Sequence, residues 1–265
     1  MNVMQRQRIE RAFARARDYD AHAHIQQRVA RDLAARIETL PLPAAPRILE
    51  IGCGTGHLTE AIEAIPALTT PGSQRIITDI SADMVARCQS KLGDRIGRQF
   101  AALDGEFGDA SADGPFDLIC SSLAMQWFDD QETALSRMLG WLAPGGHCLF
   151  ATLGARSFAQ WRAAHEAEGL SAGTIAFLSA DQLRAILPEH QAMPHRVDVH
   201  FEHHQSGLDF VRSLKAIGAN TARRQHRPLT PAQLRRVASN FEAGGAAVTY
   251  EVVSCHYTRA AGIAP

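Results

Sequence analysis

The sequence predicts an α/β protein with a mainly parallel sheet and helices on both of its faces. Three observations predict it. Between residues 47 and 153, short apolar runs alternate with stretches of helical period, the βαβα order that builds a parallel sheet. A glycine-rich turn, Glu50-Ile-Gly52-Cys-Gly54-Thr-Gly56, separates the first apolar run from the helix after it. The length of 265 residues, with 46% hydrophobic and 21% charged residues, suits one packed domain that buries its core without staples.

The elements follow in order. Ile9, Phe13, Ile25, Val29, Leu33 and Ile37 fall near helical spacing, so residues 1–40 read as helix, with a possible break near Asp20. Leu40-Pro-Leu-Pro-Ala-Ala-Pro46 ends it, because three prolines remove amide donors and favour extended chain. Arg47 to Ile51 is the first strand, Gly52 to Gly56 the turn, and a helix runs to about Ile65. Pro66 to Gln74 reads as a surface insertion before a second strand, Arg75 to Asp79. Ser81 caps the next helix, with Asp83 in its first turn. Strands are expected at Gln99 to Leu103, Phe116 to Ser121 and His147 to Leu153, the last entered through a Pro144-Gly-Gly turn, with a helix over 130–142. Beyond residue 154, helices are expected near 156–168, 179–188, 206–218 and 230–243, and strands near 195–202 and 247–258. The two late strands close the sheet. The extra helices (154–178 and 205–245, with the N-terminal 1–40) read as a cap within a single domain of residues 1–265.

Composition narrows the function. No apolar run reaches the ~18–20 residues of a membrane span, and the N-terminus is Arg-rich without an apolar signal core, so neither membrane nor secretion is expected. The five cysteines (53, 88, 120, 148, 255) form no CxxC pair, which argues against a disulfide framework or zinc site and for a reducing cytoplasm. Residues 1–40 carry eight arginines against five acids, and residues 205–240 carry seven basic residues against Asp209 alone. Such flanks suit an acidic macromolecule or an anionic substrate. No aromatics are interleaved with the arginines, so nucleic acid is not expected. In the run His190, His195, His200, His203, His204, only His200 and His204 fit one strand face, and two histidines without an acidic third ligand on that face make a poor site, so no metal is expected.

The glycine turn sits where the backbone must turn sharply and approach a ligand. A dinucleotide fingerprint would place its third glycine at position 57, which is His57. No Lys-Ser/Thr follows, so a Walker A loop is excluded as well. The pattern E-x-G-x-G-x-G resembles the S-adenosylmethionine (SAM) loop of class I methyltransferases. Asp79, ending the second strand, suits the two ribose hydroxyls, and Asp104, after the third, falls where that family places an acid near the adenine amino group. The resemblance implies a Rossmann-like sheet of seven strands, mainly parallel with the last antiparallel. It implies a cofactor site of Glu50, Gly52, Gly54, Gly56, Asp79, Ile80, Met84, Asp104, Gly105 and Ser121.

Four further segments carry a narrower resemblance. Phe13-Ala-Arg-Ala-Arg-Asp-Tyr19-Asp-Ala-His-Ala-His-Ile-Gln26 is similar to the N-terminal helix of the malonyl-[acyl-carrier-protein] O-methyltransferase family of biotin synthesis. Ser121-Ser-Leu-Ala-Met-Gln126-Trp127 resembles its segment after the fourth strand, and Phe210-Val-Arg212-Ser-Leu-Lys215-Ala-Ile-Gly218-Ala-Asn220 its R-x-L-K-x-[IV]-G-A segment. Thr249-Tyr250-Glu-Val fits its tail. The resemblance covers nearly the whole chain and implies methylation of the free carboxylate of malonyl-acyl carrier protein, with malonyl-coenzyme A possible.

A carboxylate is already ionised at neutral pH, so this displacement needs positioning rather than a general base. Arg212 is expected to clamp the carboxylate, with Tyr19 and Gln126 orienting it and Lys215 helping. Arg212 and Lys215 also fit solvated positions on one helix face. The basic flanks, Arg223 and Arg224 included, are expected to dock an acidic carrier protein. Two alternatives remain: a related methyltransferase acting on another small carboxylic acid, and a non-catalytic SAM-binding assembly protein. Oligomeric state is not legible.

Overall fold

The computed structural model describes residues 3–14, 19–186, 195–219 and 226–260, with the backbone alone for residues 3–6. Strands β1 (Arg47–Ile51) and β2 (Gln74–Asp79) are buried beyond their first residues, as parallel strands covered on both faces should be. Leu49 pairs with Ile76 on one side and Ile119 of β4 (Phe116–Ser122) on the other. β3 (Arg98–Ala102) is a half-exposed edge beside β2. With β5 (Leu142–Leu153), β6 (Arg196–His203) and β7 (Ala247–Thr258) the sheet order is β3-β2-β1-β4-β5-β7-β6. Gly145 N donates to Arg259 O, while Gly154 N donates to Glu251 O. Numbers therefore rise along β5 as they fall along β7, and the last strand runs antiparallel.

Two compact units make up the chain. One holds residues 24–152, 180–196 and 253–265. In it α3 (His24–Glu38) buries Ile25, Val29, Leu33 and Ile37 and lies against α4 (His57–Glu63). α5 (Ala82–Leu92) is capped by Ser81, whose hydroxyl accepts from Met84 N at 3.3 Å, and α6 (Gln131–Gly140) by Asp130, which accepts from Thr133 N at 3.0 Å. α8 (Ala180–Ala185) completes its helices among the described residues.

The other unit holds residues 1–23, 153–179 and 197–252. It contains α1 (Val3–Ala14), α2 (Tyr19–His22), α7 (Ala159–Glu166), α9 (Gly207–Ala216) and α10 (Pro231–Ala243). Its core is aromatic: the Phe210 ring lies 5.2 Å from Trp161, 5.7 Å from Phe241 and 5.9 Å from Phe158. Among the described residues no helix is long and apolar enough to cross a membrane.

The structure departs from the sequence expectations at a few boundaries. The expected N-terminal helix is three helices, and the third belongs to the unit that carries β1 to β4. The Pro144-Gly-Gly segment lies within β5 rather than ahead of it. Phe116 pairs with Leu142 and Leu118 with His147, so the residues between, including Gly145 at φ 78°, form a bulge. Helix α6 consequently ends at Gly140 rather than 142. α7 starts later than expected because Phe158 before it takes a left-handed backbone, φ 61°. The end of the helix expected over 179–188 lies outside the described residues.

Candidate active site

The glycine turn is fastened before any ligand reaches it. Gly52 N and Cys53 N both donate to Thr78 O at 2.8 Å, which ties the turn to the end of β2. Gly52, Gly54 and Gly56 take φ of 75°, 53° and 91°, the left-handed region. A Cβ at Gly52 would lie 2.3 Å from Ala124 Cβ, and one at Gly56 2.8 Å from Cys88 Sγ. Neither position admits a side chain.

Asp79 closes the turn from below. Its Oδ2 accepts from Gly54 N at 2.9 Å and its Oδ1 from Ser81 N at 2.8 Å. Burial raises its pKa above the usual carboxylate range, and the two amide bonds oppose that rise. Each oxygen keeps a second lone pair that can accept from a hydroxyl. Ile80, next in the chain, is half-buried, and Met84 is buried in the first turn of α5.

Glu50 behaves differently. It is 3% exposed, and its Oε2 accepts from Thr59 Oγ1 at 2.8 Å. Its Oε1 is buried without a hydrogen-bond partner, and burial pushes its pKa up to about 8. Ser121, at the carboxyl end of β4, likewise buries an Oγ with no hydrogen-bond partner.

After β3, Asp104 Oδ1 accepts from Glu106 N at 2.9 Å and Phe107 N at 3.1 Å, so this acid shapes its own loop. Gly105 is wedged between Ile51 and Phe128. Glu106, which sequence reading missed, is 2% exposed, and its Oε1 accepts from Asp129 N at 3.1 Å and Asp130 N at 3.0 Å. It staples the β3 loop to the segment after β4. Gln126 lies in that segment. Its Nε2 donates to Leu123 O at 2.7 Å, and its Oε1 accepts from Thr152 Oγ1 at 3.3 Å. The amide expected to orient an acceptor thus also braces the loop that carries it. The signal for Glu106 was only a Glu two residues past Asp104, which no spacing rule distinguishes from a surface acid.

The remaining expected residues lie in the other unit. Arg212 and Lys215 are exposed on α9, and neither side chain makes an ion pair or hydrogen bond with a described residue. Tyr19 opens α2, which lies against α9. Gly218, just past α9 at φ 70°, sits so close to α1 that a Cβ there would fall 2.9 Å from Ala12 O and from Phe13 Cα. The N-terminal segment and the R-x-L-K-x-I-G-A segment therefore meet. Arg223, Arg224, Asn220 and His190 lie outside the described residues. Among the described residues no group of three or more His, Cys, Asp or Glu could hold a metal, and His204 instead packs on Phe210, with ring centroids 5.0 Å apart.

A turn that admits no side chain at Gly52 or Gly56, acids at the ends of successive parallel strands and two buried oxygens without partners fit a polar nucleoside cofactor bearing cationic groups. Fold and site together define a class I SAM-dependent methyltransferase. The family described as "Methyltransferase domain" matches residues 22–192. The malonyl-[acyl-carrier protein] O-methyltransferase of Magnetococcus marinus is 40% identical over 259 residues, covering 95% of this chain and 92% of its own. The biotin biosynthesis bifunctional protein BioCD of Bordetella avium is 42% identical over 96% of this chain, which spans only 53% of that longer protein. The chain belongs to the malonyl-[acyl-carrier protein] O-methyltransferase family. Among solved structures, the N-methyltransferase NodS of Bradyrhizobium japonicum, in complex with S-adenosyl-L-homocysteine, is similar in fold, with TM-score 0.52 and 19% identity over 96% of this chain and 98% of its own.

Proposed function

We propose that this protein methylates the free carboxylate of malonyl-acyl carrier protein, forming the methyl ester that begins pimeloyl synthesis for biotin, with malonyl-coenzyme A as a second acceptor. The observation that carries the acceptor assignment is the meeting of α1 and α2 with α9 and Gly218. They carry two of the four segments in which the chain resembles that family.

When bound, SAM supplies an electrophilic sulfonium methyl. The protein's task is geometric, since a carboxylate needs no deprotonation at neutral pH. Arg212, exposed and without a side-chain partner among the described residues, holds the carboxylate by charge and by N–H bonds to one of its oxygens, leaving the other oxygen free to attack. Lys215, one turn further along α9, adds positive charge. The Tyr19 phenol and the braced Gln126 amide fix the carboxylate plane. Methionine, glycine-turn and β3-loop contacts on the cofactor side come from Glu50, Gly52, Gly54, Gly56, Asp79, Ile80, Met84, Asp104, Gly105 and Ser121. In this reading the segments 1–23, 154–178 and 205–245 recognise the acceptor, and the basic flanks receive the acidic carrier. The five free, buried cysteines support a reducing cytoplasmic location.

The test incubates the purified chain with SAM and, in turn, malonyl-carrier protein, malonyl-coenzyme A and aconitate, and asks whether it rescues a strain blocked at the first step of biotin synthesis. Methyl transfer to malonyl-carrier protein with rescue is expected. Transfer to aconitate alone, or cofactor binding with no transfer, would overturn the reading.

A further inference from the structure

The five residues after β5 are held more firmly than a connection needs. Arg156 N donates to Glu251 Oε2 at 2.8 Å, and Arg156 Nε to Glu251 Oε1 at 2.7 Å. Ser157 Oγ, fully buried, donates to Glu251 O at 3.1 Å and accepts from Glu251 N at 3.0 Å. From α7, Arg162 donates to Ala155 O at 2.8 Å and also to Ser157 O. Phe158 closes the loop at φ 61°, a backbone seldom taken by a side-chain-bearing residue, with its amide on Thr249 O at 2.7 Å. Gly154 opens it, because a Cβ there would lie 2.6 Å from Glu251 Oε2.

All this bracing converges on one outward side chain. Glu251 is buried, 6% exposed at its side chain, yet it spends both oxygens on Arg156, whose side chain is 67% exposed. As a source of stability the arrangement is poor, since solvent screens the arginine while the carboxylate bears the cost of burial. What it achieves is orientation. Nε is used, and Nη1 and Nη2 make no hydrogen bond with any described residue. The result is a fixed two-pronged donor, three residues past the carboxyl end of β5, the end at which open α/β sheets bind ligands.

We propose that Arg156 is an anion-binding residue for the methyl acceptor, its Nη1 and Nη2 taking paired anionic oxygens of a carboxylate or a phosphate on the thioester substrate. Glu251 is its positioning residue. The proposal rests on the acceptor reading above. It differs from the role given to Arg212, whose side chain nothing in the described structure orients.

Steady-state kinetics would compare wild type, Arg156→Ala, Arg156→Lys and Glu251→Gln on three acceptors: malonyl-carrier protein, malonyl-coenzyme A and malonyl-N-acetylcysteamine, which keeps the carboxylate but has no phosphate. Arg156→Ala is expected to raise KM ~10- to 100-fold, the loss of charge-assisted bonds, while SAM affinity and melting temperature hold. Arg156→Lys should recover only part, because an ammonium lacks the fork. Glu251→Gln should fall between, through lost orientation. A rise on all three acceptors identifies the carboxylate, and a rise confined to the first two identifies the phosphate. A folded Arg156→Ala enzyme within twofold of wild type on all three overturns the proposal. A wild type inactive on all three overturns the acceptor reading instead. In that case direct titration with malonate and with phosphopantetheine decides for Arg156, since binding equal in wild type and Arg156→Ala overturns it.

Discussion

Glu50 and Asp79 lie near the ends of adjacent strands and are similarly buried, 3% and 8% exposed, but their partners set them apart. Asp79 accepts two backbone amides, whereas Glu50 has one hydroxyl donor and a bare second oxygen. Desolvation therefore dominates at Glu50 and pushes its pKa up to about 8. In the unfolded chain the same carboxyl titrates near its ordinary value of about 4.3. Between those values the folded state holds the extra proton, so stability is greatest below about pH 4.5 as far as this group is concerned and declines as pH rises through 8. Calorimetric melting should show a decline in Tm from pH 5 to 8 that is shallower in Glu50→Gln; parallel curves would mean that Glu50 does not carry the proton. Arg212 makes a second case at this scale. If it holds the carboxylate, Arg212→Ala should lose ~30- to 1000-fold in kcat/KM while SAM affinity and melting stay near wild type, and Arg212→Lys should recover part. A solvated arginine would change kcat/KM by no more than about twofold.

At the scale of elements, the segment Leu123–Asp130 after β4 joins the site together. Ala124 fills the space above Gly52, Phe128 presses on Gly105, and Glu106 binds the amides of Asp129 and Asp130. Glu106→Ala should loosen the β3 loop and the loop that carries Gln126 at once, raising KM for SAM and lowering kcat. Glu106→Gln keeps a carbonyl acceptor for both amides and should restore most of each. A residue serving only stability would lower Tm in Glu106→Ala and leave kinetics well below the transition within twofold. The strands themselves, the cap at Ser81 and the glycine turn were legible in the sequence because each is written in neighbouring residues. Glu106 and its partners are 23 and 24 positions apart, and Glu251 and Arg156 are 95 apart, so no local pattern records them. The bulge in β5 escaped notice for a related reason. Pro144-Gly-Gly reads as a turn until Arg259 pairs with Gly145 and Gly146 and holds it in the strand.

For the whole molecule, the net charge of −1 conceals a separation of charge along the chain. Residues 205–240 alone carry seven basic residues against one acid, and Arg227 and Arg235 among them are exposed. A field of this kind acts on encounter more than on chemistry, since it steers an acidic partner from beyond contact range and is screened over about 10 Å at 0.1 M salt. Carrier proteins bring many negative charges, while malonyl-coenzyme A brings few and those close to the reacting group. Charge reversal of Arg227 and Arg235 together should therefore raise KM for malonyl-carrier protein by about tenfold at low salt and leave KM for malonyl-coenzyme A nearly unchanged. The difference between wild type and variant should shrink as salt rises, because screening weakens the same term that the substitutions remove. kcat should hold on both substrates, since neither arginine is assigned a contact with the reacting carboxylate. Equal rises in KM on the two substrates, or a difference that persists at 0.5 M salt, would place these arginines in the small-molecule site and leave the docking of the carrier to another face.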